Sequence, residues 1–131
     1  MKPRQLALML ILTLAAPLIS GCALFLIGAG VAIGAGTVAY VSGELRAADD
    51  IQLDRAWNAT LAAMNDLDFK VTRKEKDAVG AEVIARRADD TKIIIRLKKQ
   101  SDQVTEFRIR VGAFGDETLS RTIYDAIKKQ A

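Results

Sequence analysis

Residues 18–22 read Leu18, Ile19, Ser20, Gly21, Cys22. An aliphatic residue, two small ones and then a cysteine is the pattern of a bacterial lipobox. The chemistry is thioether formation. The Cys22 thiol is the nucleophile that accepts diacylglycerol. The small residues before it let an extended backbone enter a signal-peptidase groove. After cleavage, Cys22 is the first residue and takes acyl chains on sulfur and nitrogen. A lone cysteine is otherwise most often a buried small hydrophobe. Its surroundings argue for lipidation. Lys2 and Arg4 form a short basic start, and an apolar run over residues 6–18 follows, of secretory-signal length and short for a bilayer span.

Other chemistry is restricted by composition. The 131 residues include no histidine and one cysteine. Intrachain disulfides, Cys/His zinc sites and Ser-His or Cys-His catalysis are therefore excluded. The adjacent carboxylates Asp49-Asp50 and Asp89-Asp90 read as turn and cap residues, since neighbours on a strand point apart. Gly28, Gly30 and Gly34 lie outside any βαβ unit and do not make a phosphate loop. No cofactor or metal is expected. All acidic residues lie at Glu44 or beyond, and without Lys2 and Arg4 the chain is close to neutral. Bulk charge thus gives no argument for nucleic acid.

Three segments follow. Residues 1–21 are expected to be a signal peptide. Residues 22–36 are expected to be an acylated, glycine-rich, membrane-proximal stretch. Residues 37–131 are expected to be a periplasmic domain. In the middle segment Gly28 and Gly36 flank Ala32 at fourfold spacing, and Gly30 and Gly34 share that spacing. On a helix these would form a smooth packing face. The alternative is an apolar tether, because each glycine weakens a helix in water by up to about 1 kcal/mol. Ala23, rather than aspartate, follows the cysteine. That points to the periplasmic face of the outer membrane, with the inner membrane as the alternative.

The domain reads by periodicity. Residues 38–47 alternate as one strand, with Ala39, Val41, Leu45 and Ala47 on one side and Tyr40, Glu44 and Arg46 on the other. Asp49-Asp50 offers a cap for a helix striped by Leu53, Ala56, Trp57, Thr60, Leu61, Met64 and Leu67. Four strands follow, over residues 69–75, 81–87, 92–98 and 105–111, joined by short polar turns. A final helix, capped by Gly115 or Asp116, carries Leu119, Ile123, Ala126 and Ile127. Arg121 and Asp125 stand one turn apart on it. The expected fold is α+β: a two-layer domain with an antiparallel sheet of about five strands, order β-α-β-β-β-β-α, and two helices on one face.

Alternation also places Lys70, Lys74, Arg86, Lys92, Arg96, Lys98, Arg108 and Arg110 on the outward face, with Glu82, Glu106, Ile84 and Ile94 among them. Arg86, Arg96, Lys98, Arg108 and Arg110 are the candidate anion-binding residues, for anionic lipid, a glycan phosphate or an acidic envelope protein. A wet sheet face laced with charge is the plainer reading.

Residues 40–47 (Tyr-Val-Ser-Gly-Glu-Leu-Arg-Ala), residues 85–89 (Ala-Arg-Arg-Ala-Asp) and residues 110–117 (Arg-Val-Gly-Ala-Phe-Gly-Asp-Glu) together resemble a family of small, uncharacterised bacterial lipoproteins, a domain of unknown function. The resemblance covers nearly the whole mature chain, including the lipobox and the glycine-rich lead. Members tend to close the first helix with glycine before phenylalanine. Here Asp68 precedes Phe69, and aspartate tolerates the left-handed backbone better than most residues. The family carries no known catalytic site. The resemblance implies a membrane-anchored envelope lipoprotein with a non-catalytic adaptor or structural domain. Membrane insertion and oligomerisation of the glycine-rich stretch, or anion binding by the sheet face, are the alternatives.

Overall fold

Period-two alternation over four consecutive segments requires a sheet with one buried face, and the computed structural model, which describes residues 34–131, has one. The elements are β1 (Val38–Val41), β2 (Glu44–Asp49), α1 (Leu53–Asp66), β3 (Lys70–Lys76), β4 (Gly80–Arg86), β5 (Lys92–Lys99), β6 (Thr105–Val111) and α2 (Glu117–Gln130). The six strands form one antiparallel sheet in the order β1-β2-β6-β5-β4-β3. This is the expected two-layer α+β fold, with six strands rather than five.

The extra strand comes from residues 38–47, which are a hairpin and not one strand. Ser42 and Gly43, at φ of 52° and 79°, make the two-residue turn between β1 and β2. Such a turn inverts the parity of the alternation. Tyr40 therefore lies opposite Leu45 and shares its buried face, while Val41 lies opposite Glu44 on the other face. The one-strand reading assigned Tyr40 to the polar side. The structure packs it against the core.

On the inner face, Leu45, Ile109, Ile95 and Val83 stand abreast across β2, β6, β5 and β4, and Ala47, Phe107, Leu97 and Ala81 form the next row. The helices cover these rows. α1 buries Leu53, Ala56, Ala59, Thr60, Ala63 and Met64, so half of its buried residues are alanine. α2 buries Ser120, Ile123, Tyr124 and Ile127. The Tyr124 ring meets Phe107 edge-on, with centroids 5.8 Å apart. Its hydroxyl donates to Asp49, whose other oxygen lies 3.6 Å from Lys128 Nζ. Burial, and then the Asp49 carboxylate, push the Tyr124 phenol well above the ordinary tyrosine range.

Several end signals differ from expectation. The N-cap of α1 is Gln52, without a side-chain bond, because Asp49 is already the last residue of β2. Asp68 closes α1 at φ 56°, and Phe69 N–H reaches back to Met64 O at 2.9 Å, as a left-handed helix terminus requires. Asp116 caps α2 through Leu119 N–H at 3.0 Å. Arg121 pairs with Glu117 at 3.0 Å instead of Asp125; the acid stands one turn N-terminal to its base, the better orientation on a helix.

β3 also departs from simple alternation. A bulge between Val71 and Arg73 shifts its register, so Lys74 lies opposite buried Val83 and Arg73 lies opposite Ile84. Lys74 is thus on the helix side of the sheet and not on the outward face. Lys76, on the same side, reaches Asp54 of α1 at 2.6 Å.

Two outcomes follow from this packing. Ile109→Ala empties the middle of the inner rows and is expected to cost about 2–5 kcal/mol, read by chemical denaturation. Asp77 accepts N–H bonds from Val79 at 2.8 Å and Gly80 at 2.9 Å, which hold its carboxyl below the usual aspartate range. Its contribution to the β3–β4 turn is present above the unfolded-state pKa and is lost as pH falls through the lowered folded value. The gap in denaturation midpoint between the wild type and Asp77→Ala should therefore be open at neutral pH and close in acid. A gap independent of pH would contradict this role.

Candidate functional site

The face of the sheet away from the helices is the candidate surface. Directly opposed residues on antiparallel strands share a face. Arg96, Arg108 and Arg46 are therefore three arginines abreast on β5, β6 and β2. Like charges so placed repel, and the neighbouring strand positions supply the remedy. Glu82 lies 2.8 Å from Arg96, Glu106 lies 3.0 Å from Arg108, and Glu44 lies 3.1 Å from Arg46 and 4.0 Å from Arg108. Glu106 is only 4% exposed, and Gln100 Nε2 also donates to it at 3.3 Å. No helix among the described residues covers this face, and Glu106 is withdrawn from water there beside Arg108.

All five candidate anion-binding residues fall on this face, but in different states. Arg96 and Arg108 are engaged by the glutamates just named. Arg86 lies 2.9 Å from Asp90 O and 3.7 Å from the Asp90 carboxylate. Lys98 lies opposite Glu106 with no ion pair within 4.0 Å among the described residues. Arg110, opposite Ile94 and Glu44, donates from Nη1 to Ser42 O at 3.3 Å and from Nη2 to Ala113 O at 2.8 Å. Ile84 and Ile94 sit side by side on β4 and β5 as a half-buried apolar pair. An open groove of about 850 Å³ runs past Glu82, Arg96, Lys98 and Arg108 along the β3–β4 side.

The two carbonyls held by Arg110 belong to two different loops. One is the β1–β2 turn. The other is the β6–α2 loop, residues 112–116. Backbone packs on backbone between them: a methyl group added at Gly43 would stand 2.8 Å from Phe114 O, and one at Gly115 would collide with Gly43 O and the Tyr40 hydroxyl. Gly115 is also left-handed, at φ 84°. This braced loop presents Phe114, 96% exposed. Residue types alone gave no reason to select Phe114, because an aromatic in a glycine loop reads equally well as a core residue folded back. Its exposure appears only once Gly43 and Gly115 are seen in contact.

The remaining sequence candidates lie elsewhere. Leu18, Ile19, Ser20, Gly21, Cys22, Gly28 and Gly30 lie outside the described residues. Gly34 and Gly36 belong to a turn, closed by Thr37 N–H on Gly34 O at 3.2 Å. Gly36 takes φ 81° and donates to Ala48 O at 2.7 Å, so neither glycine stands in a helix. No helix among the described residues is long and apolar enough to cross a membrane.

Gly115→Ala combines a left-handed backbone with a clash against Gly43 and Tyr40. It is expected to destabilise the domain by more than 1 kcal/mol, a rough figure for a forbidden left-handed alanine, and to broaden the amide signals of residues 42–44 and 112–116. An unchanged melt and spectrum would mean that the loops are not braced as described.

A comparison with curated proteins finds no match to the chain. A family model does match, over residues 5–130, so it takes in the apolar lead as well as the folded domain. That span is almost the whole chain, and the chain belongs to the DUF3568 family, described as a protein of unknown function.

Proposed function

We propose that the chain is an envelope lipoprotein. Cys22 is its acylation site, and residues 37–131 form a non-catalytic periplasmic module that acts as an adaptor or structural component. The observation that carries this reading is the lipobox at residues 18–22, set between a basic-apolar leader and a domain that begins its first strand at Val38. Two or more acyl chains would hold such a domain on a membrane without any spanning helix. Ala23 favours the outer membrane.

Six carboxylates with structural partners support the non-catalytic part. Glu82, Glu106 and Glu44 neutralise arginines, Asp49 holds Tyr124 and Lys128, Asp77 shapes a turn, and Asp116 caps a helix. Hydrolysis by paired acids needs two carboxylates turned toward one cleft. These acids are turned instead toward bases and N–H groups. The turn at Gly34 and Gly36 weighs against a packing helix that runs through those two glycines.

Intact mass and membrane fractionation of wild type beside Cys22→Ser test the proposal. The expected wild-type product starts at Cys22, carries acyl chains and sediments with membrane; the variant keeps its leader and gains no lipid mass. An unacylated wild-type chain would end the lipoprotein reading.

A further inference from the structure

We infer that the open sheet face lies against an anionic lipid surface and that Phe114 is its second, non-covalent point of attachment. The inference rests on the acylated Cys22 just proposed. It adds what that reading leaves open, namely which face of the domain meets the bilayer.

Three observations place it. First, Phe114 is an exposed aromatic on a loop tied at two points: Arg110 bonds Ala113 O and Ser42 O, and Gly43 and Gly115 pack backbone to backbone. A preorganised apolar side chain enters an interface with little ordering cost. Second, the face beside it is cationic and in part unneutralised. Lys70, Arg86 and Lys92 stand in one row at the Phe114 end, and Lys98 stands at the far end, in the row of Glu106 and Ala48. Lys70, Lys92 and Lys98 make no ion pair within 4.0 Å among the described residues, whereas Arg46, Arg96 and Arg108 do. The loop that carries Phe114 starts beside this row, since Gly112 N–H bonds Lys92 O at 2.8 Å. Basic side chains around an exposed aromatic suit phosphate headgroups with acyl tails beneath them.

Third, the ends of the sheet are used differently. The chain joins the domain at Gly36, beside Ala48, and Phe114 stands at the other end of β2, beside Gly43. The chain between Cys22 and Gly34 has length to reach about 40 Å when extended. β2 spans about 20 Å at its strand rise. A domain lying with its open face down can thus be held at one end by acyl chains and at the other by Phe114. An acidic protein partner would meet the same cations, but it has no need of a tether at the opposite end.

The test places an indole at the tip. Full-length, acylated protein carrying Phe114→Trp, its acyl mass confirmed first, is reconstituted into phosphatidylcholine vesicles with or without phosphatidylglycerol, using brominated chains as quencher. The parent protein supplies the Trp57 background. The expected result is a blue-shifted emission from the indole at 114, quenched by bromine in phosphatidylglycerol vesicles. The quenching should be lost in Lys92→Glu with Lys98→Glu at an unchanged melting temperature, and weakened by high salt. An indole that stays water-exposed in both vesicles overturns the inference and leaves the face to a protein partner. Equal quenching in both overturns the anionic selection. A missing acyl mass is a failure of the lipoprotein reading, seen before any vesicle is made.

Discussion

The contact between β6 and α2 is the one on which the rest depends. Phe107, Ile109 and Val111 point to the helix side of a central strand, where Ile123, Tyr124 and Ile127 bury against the sheet. β6 has β2 on one side and β5 on the other, so its rows extend Leu45 and Ala47 one way and Ile95 and Leu97 the other. Withdrawing this apolar area from water, at about 25 cal/mol per Å², drives the domain together. It also decides which residues face away from the helices, because a strand that turns Ile109 inward turns its neighbours Arg108 and Arg110 outward. The arginine row on the open face is in this sense a by-product of the core.

That face would be unstable as a row of like charges. Its glutamates come from neighbouring strand positions on the same face, two residues from Arg108 and Arg46 along their own strands, and across the strand pair from Arg96. The pairing stiffens the middle of the sheet and leaves uncompensated lysines and an exposed phenylalanine toward one side and one end. Surface ion pairs of this kind contribute little energy singly, but a network with short distances holds geometry.

β4, β5 and β6 were legible in the residues, because each alternates without interruption over seven or eight residues with mainly apolar residues inward. Two parts were not. The β1–β2 hairpin hides because Ser42-Gly43 sustains the polar-small alternation while reversing the chain, and the reversal exchanges the faces of Tyr40 and Val41. The Val71/Arg73 bulge hides for the same reason: one extra residue moves Lys74 inward and Arg73 outward. Both failures are of parity, to which a period-two argument is blind. In the candidate face, the five cations on β4, β5 and β6 were placed correctly, since those strands have no irregularity. Glu106 and Glu44 were visible as neighbours of Arg108 and Arg46 along the strand, whereas the pairing of Glu82 with Arg96 depends on cross-strand register. Phe114 depends on contact between two loops about 70 residues apart, beyond any local pattern.

The bulge has a wider consequence. The edge that β3 presents is kinked and carries Lys70, Arg73, Lys74 and Lys76, whereas β1 presents the short, uncharged Val38–Val41. Growth of a sheet by addition of copies requires two competent borders on each copy. With one border blunted, two chains that meet through β1 form a closed pair whose outer borders are both β3. Pairing of that kind would stop at two members.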